Sequence, residues 1–219
     1  MNVADKTRND ILLRVRSATQ GSKIDRPQVE SAYAALSRIY TREGRLGRDA
    51  LCELMLERLR EYDAEVVECA KQELPEAINS KLKTSGKRTF VAPEQVPADW
   101  LPAEFNWKID GHLTTAEIES AEGTLTGAFC GIAESGTIVL HHTGKEGRRA
   151  VSLLPDWHLC VLHASQIVET LPEYFNLCHR PPALSTYISG PSATADIEMT
   201  RIKGVHGPRF LAVILVRDV

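Results

Sequence analysis

Three short stretches bring carboxylate, hydroxyl, glycine and imidazole together in patterns that can do chemistry. In "TGAFCGIAESGTIVL" (126–140), Glu134 is followed by Ser135, Gly136 and Thr137, then by an apolar run. A carboxylate at such a turn can serve as nucleophile, as general base or as a cap on backbone amides. The hydroxyls of Ser135 and Thr137 and the Gly136 backbone can hydrogen-bond a polar ligand. On spacing alone, a tight turn with a solvated or capping Glu134 is the stronger reading.

The second stretch is "SGPSATADIE" (189–198), with Gly190, Pro191, Ser192 and Thr194 ahead of Asp196 and Glu198. Thr194 suits the cap of a helical turn starting at Ala195, and the two acids suit its positive end. The amides of Ser192 to Ala195 can instead cradle an anion, although acids in the first turn repel a phosphate. A carboxylate, a sugar hydroxyl or a cation stay open as ligands. The third stretch, "VHGPRF" (205–210), sets His206 before Gly207 and the last apolar run. An imidazole there can act as acid, base or hydrogen-bond donor, or simply hold its own turn.

Other patterns are weaker. His141 and His142 are adjacent, so on a strand they face opposite sides, and His158 and His163 also point apart. No metal-ligand spacing, phosphate-binding glycine loop or hydrolase elbow is present. The five cysteines, Cys52, Cys69, Cys130, Cys160 and Cys178, are scattered and odd in number, which reads as reduced intracellular thiols without a cluster motif. A net charge of -3 argues against a nucleic-acid protein, and "FLAVILV" is too short to span a bilayer. Without a secretory signal, a cytoplasmic location is expected.

The elements that must position these stretches are legible from periodicity. Residues 5–62 read as helical, with Leu51, Leu54, Met55, Leu59 and Tyr62 along one stripe. Strands are predicted at 64–70, 88–93, 136–142, 157–164, 184–190 and 208–218. A helix within "ELPEAINSKLKTSG" (73–86), with Leu74, Ile78 and Leu82 at helical spacing and Gly86 as its stop, makes 64–93 a parallel βαβ unit. Residues 93–112 read as an aromatic-packed connection, "TGKEGRR" as an exposed loop, and Ser165 as the cap of the helix that follows it. The expectation is an α/β three-layer sandwich: a helical N-terminal extension at 1–62, an α/β domain at 63–219, and ligand contacts beyond the C-terminal strand ends.

Taken together and in order, "IAESGTIVL" (132–140), "GPSATADIE" (190–198) and "GVHGPRFLAVILV" (204–216) resemble the lactate-utilisation protein C family, the LUD domain. The resemblance implies an αβα fold of the NagB/RpiA/CoA-transferase-like type. It implies one component of a bacterial system that oxidises L-lactate to pyruvate. The partners would be iron–sulfur subunits, with no cofactor on this chain, and the ligand a small carboxylate or other polar molecule. Glu134 and His206 are then the catalytic candidates. Ser135, Gly136, Thr137, Gly190, Pro191, Ser192, Thr194, Asp196, Glu198 and Gly207 are the binding candidates, and none is assigned to a metal. The alternative is a stand-alone isomerase, cyclo-ligase or CoA-transferase that uses Glu134.

Overall fold

A computed structural model describes residues 3–19, 26–37, 39–194, 202–204 and 206–218. The chain divides into two compact units, Met1–Tyr40 and Thr41–Val219. The first carries helices α1 (Val3–Thr19) and α2 (Arg26–Ala35). Its apolar side chains Ile11, Leu13, Val15, Val29 and Tyr33 are each more than half exposed.

The second unit opens with α3 (Arg48–Glu61), β1 (Glu65–Ala70), α4 (Leu74–Thr84), β2 (Thr89–Pro93), β3 (Asn106–Asp110) and α5 (Thr115–Glu119). It continues with β4 (Gly123–Gly127), β5 (Cys130–Ile132), β6 (Thr137–Leu140), α6 (Arg149–Leu153), β7 (Trp157–His163) and β8 (Ile167–Val168). Last come α7 (Leu171–Leu177), β9 (Thr186–Ile188), β10 (Ala193–Thr194), β11 (Ile202–Lys203) and β12 (Phe210–Arg217). A six-stranded sheet runs β1-β12-β7-β4-β2-β3 with every neighbouring pair parallel. A smaller sheet runs β8-β5-β6-β9, and β10 pairs antiparallel with β11.

The run "FLAVILV" is apolar throughout because β12 lies inside a parallel sheet covered on both faces. Leu211, Val213 and Leu215 pack with Cys160 and Leu162 of β7, with α3, and with Ile138 and Leu140 of the small sheet. Ala212, Ile214 and Val216 pack on the opposite face with Leu74, Ile78 and Leu82 of α4. The result is the α/β/α layering expected of the sequence. The boundary differs from residue 62, because α3 buries Leu51, Cys52, Met55, Leu56 and Leu59 in the second unit's core. Each such side chain contributes about 1.5–3 kcal/mol of burial, which ties the helix to the sheet.

Three local expectations are corrected. Residues 93–112 contain the edge strand β3, recruited because the rings of Phe105 and Trp107 each lie 5.5 Å from Phe90. Ser165 caps no helix; Ile167 and Val168 pair with β5 first, and α7 starts from Thr170, whose hydroxyl accepts from the Glu173 amide. The 143–149 segment is not wholly exposed: Glu146 is buried and its carboxylate accepts from the His141 amide. No helix among the described residues is long and apolar enough to cross a membrane.

Candidate functional site

A cavity of about 280 Å³ opens beside the beginnings of β7 and β12. His158 and Leu211, the second residues of those strands, are register partners and both line it. Helix α6 contributes Arg149, Ser152 and Leu153. Strand β9 and the turn after it contribute Thr186 to Ala193, and the approach to β12 contributes His206, Gly207 and Pro208. The cavity therefore lies at the N-terminal ends of these strands, not beyond the C-terminal ends where the sequence placed it. The reason is connectivity: the 189–193 segment follows β9 of the small sheet, and the 206–209 segment feeds directly into β12.

Five candidates from the sequence meet here: Gly190, Pro191, Ser192, His206 and Gly207. Gly190 has φ +90°, and a Cβ there would sit 2.6 Å from Tyr62 Cβ and 2.7 Å from its carbonyl oxygen. The turn thus rests against the residue that ends α3. Ser192 is a clasp: its hydroxyl donates to the His206 carbonyl at 2.5 Å and accepts from the His206 amide at 3.1 Å. Its amide donates to Pro208 O at 2.8 Å, and Gly204 N–H donates to its carbonyl at 3.0 Å. The hydroxyl hydrogen and one lone pair are thus committed to the protein, and the side chain shapes the cavity wall. Thr194 ends β10 opposite Ile202, while the helical turn expected after it, with Asp196 and Glu198, lies outside the described residues.

The "ESGT" stretch is placed differently. Glu134 and Ser135 are exposed on a single 3-10 turn, and neither lines the cavity. Gly136, at φ +60°, lays this turn against α3, where a Cβ would come within 2.6 Å of Arg58 Cβ. Glu134 N–H donates to Glu169 O at 3.0 Å. Thr137 provides the link to the cavity, because its hydroxyl lies 2.7 Å from Ser135 Oγ and 2.7 Å from Ser189 Oγ, and Ser189 lines the cavity. Glu134 and His206 thus do not share one cleft, and Glu134 lacks the access that a nucleophile in this cavity needs.

Arg149 and Thr186, polar side chains of the cavity wall, were not among the sequence candidates, and His142 stands behind them without lining the cavity. Arg149 donates to Thr186 Oγ1 at 2.5 Å. Thr186 Oγ1 also lies 2.7 Å from His142 Nε2, and His142 Nδ1 lies 3.1 Å from Gly147 O. Burial holds the His142 imidazole below its ordinary range, helped by the nearby Arg149 charge. His158 lies 2.8 Å from Thr126 Oγ1, and burial pushes its pKa down to about 4. His163, at the far end of β7, bonds Asp218 at 2.9 Å instead. In an adjoining hollow that shares Arg149, Leu153, His206 and Gly207 with the cavity, the Asp156 carboxylate is already paired with Arg209, at 2.5 and 2.9 Å. The site thus presents a guanidinium, hydroxyls and neutral imidazole in a small space, a set suited to a small anion carrying a polar substituent. Among the described residues, no three His, Cys, Asp or Glu side chains are grouped to hold a metal.

A family model described as the LUD domain matches residues 52–216. Lactate utilization protein C of Deinococcus radiodurans is 39% identical over 175 residues, covering 78% of this chain and 82% of that protein. Lactate utilization protein C 1 of Bacillus mycoides is 31% identical over 192 residues, covering 79% and 82%. A crystal structure of a DUF162 family protein from Deinococcus radiodurans matches with a TM-score of 0.67 at 35% identity, covering 78% of this chain and 99% of that one.

Proposed function

The chain belongs to the LUD domain family, and from that premise we propose that it is a cytoplasmic component of a bacterial lactate-utilisation system whose cavity binds a small carboxylate, L-lactate or pyruvate. The observation that carries the ligand class is the Arg149 guanidinium held on Thr186 at the wall of a cavity of about 280 Å³. That volume suits a short acid. Electrons from lactate pass, in this reading, to iron–sulfur partner proteins, while this chain positions the acid and carries no cluster. The placement of the thiols supports that division. Cys52 and Cys160 are buried in the α3-side core, Cys69 in the α4-side core and Cys130 beneath α7. Burial pushes the Cys130 and Cys160 thiols up to about 12, and Cys178 is the one thiol partly open to solvent.

The test is genetic and biochemical. Deleting the coding sequence in its host should abolish growth on L-lactate but not on glucose. The intact chain should restore that growth, and the Arg149→Ala chain should not. From lactate-grown cells the tagged chain should retain iron–sulfur proteins with their visible absorbance. Undiminished growth of the deletion strain on L-lactate would overturn the reading.

A further inference from the structure

The cavity's cation does not hold itself in place. His142 is a non-glycine residue at φ +59°, a conformation that persists only where its surroundings enforce it. Its imidazole is fixed at both nitrogens. A carbonyl oxygen only accepts, so Nδ1, 3.1 Å from Gly147 O, must carry the hydrogen. In the neutral ring Nε2 is then an acceptor, and the Thr186 hydroxyl 2.7 Å away must donate to it. With its hydrogen so placed, Thr186 Oγ1 turns a lone pair to the Arg149 N–H at 2.5 Å. The charged and titratable groups facing His142 are few. Arg149 lies on α6 and His141 precedes it in the chain, while the Glu146 carboxylate is turned onto the backbone amides of His141 and His142.

We infer that His142 is a positioning residue, which through Thr186 holds the Arg149 guanidinium over the cavity and so sets its anion affinity without touching the ligand. This rests on the cavity being a carboxylate site, as proposed above. A direction follows along the chain of bonds: Gly147 O fixes the tautomer, the tautomer fixes the Thr186 hydrogen, and the Thr186 lone pair fixes Arg149.

A double-mutant cycle with L-lactate as probe tests it, using the full chain and His142→Asn, because asparagine tolerates φ > 0. Arg149→Ala should weaken binding by roughly tenfold or more, and His142→Asn by about fivefold. The double variant should bind no more weakly than Arg149→Ala alone. Thr186→Val should behave like His142→Asn, and Thr186→Ser should restore wild-type affinity. Equal loss from His142→Asn in both backgrounds, or no loss, would overturn the inference. A ligand-free readout separates the two claims: the Arg149 Nε–H resonance of 15N-labelled protein should shift and broaden in His142→Asn and Thr186→Val but not in Thr186→Ser. An unmoved resonance rejects the positioning role even if L-lactate binds. A shifted resonance in a protein that ignores L-lactate supports the positioning role and rejects the ligand class.

Discussion

At the scale of single residues, the cavity is built from groups whose hydrogen-bonding roles are already assigned. Ser192 is closed onto His206, Thr186 is held between His142 and Arg149, and His158 faces Thr126. His158 makes the clearest pH prediction. Its ordinary value is 6.5 and its folded value about 4, because burial disfavours the charged ring. The folded chain thus holds this proton less tightly than the unfolded chain. The associated stability is complete above about pH 6.5 and is lost as the pH falls through the window down to about 4, by roughly 3 kcal/mol in all. Urea midpoints at pH 7 and pH 4.5 should therefore lie closer together in His158→Leu than in the natural chain. Equal gaps would show that His158 is not held neutral. Gly190→Ala should cost about 2 kcal/mol or more, since φ +90° and the Tyr62 backbone both oppose a Cβ. A urea midpoint unchanged by that substitution would mean that the turn after β9 moves freely off α3.

At the scale of elements, α3 supports the site although none of its residues lines the cavity. Its C-terminal end backs two left-handed turns, Arg58 behind Gly136 and Tyr62 behind Gly190. Helix α7 depends on one cap, and Thr170→Ala should lower stability by about 1 kcal/mol. Thermal unfolding at pH 7 checks this, and an unchanged midpoint would remove the cap from the account. Much of this level was legible in the sequence. The buried face of α4 and the strands around "VVECA", "TFVAP" and "FLAVILV" follow from period and composition alone, whereas the stripe read for α3 catches Leu51, Met55 and Leu59 but includes the exposed Tyr62 and misses Cys52 and Leu56. Strand β3 was not legible, because its five residues take their place from Phe90 across the sheet and not from a pattern of their own. The candidate site was half legible. Glycine-rich turns at 190 and 207 advertise themselves, whereas Arg149 and His142 sit in "HHTGKEGRR", a stretch with no period. Their roles come from β9, a strand some forty residues later that delivers Thr186 between them.

At the scale of the whole molecule, the α/β/α layers place the cavity at the opening ends of two central strands, and every described residue that lines it lies in the unit Thr41–Val219. A chain starting at Thr41 should therefore keep its urea midpoint and any ligand response within error of the full chain. Loss of either would show that residues 1–40 complete the fold or the site. The first unit is a helical segment with exposed apolar side chains, and the second carries the sheets and the cavity. The central claim is that this member of the LUD domain family holds a small carboxylate through Arg149. Calorimetric titration of L-lactate and pyruvate into the full chain and into Arg149→Ala at pH 7 and low salt tests it most directly. At least one acid should bind saturably and one-to-one, and the substitution should weaken that binding roughly tenfold or more. Equal binding to both proteins, or none to the natural chain, would contradict it.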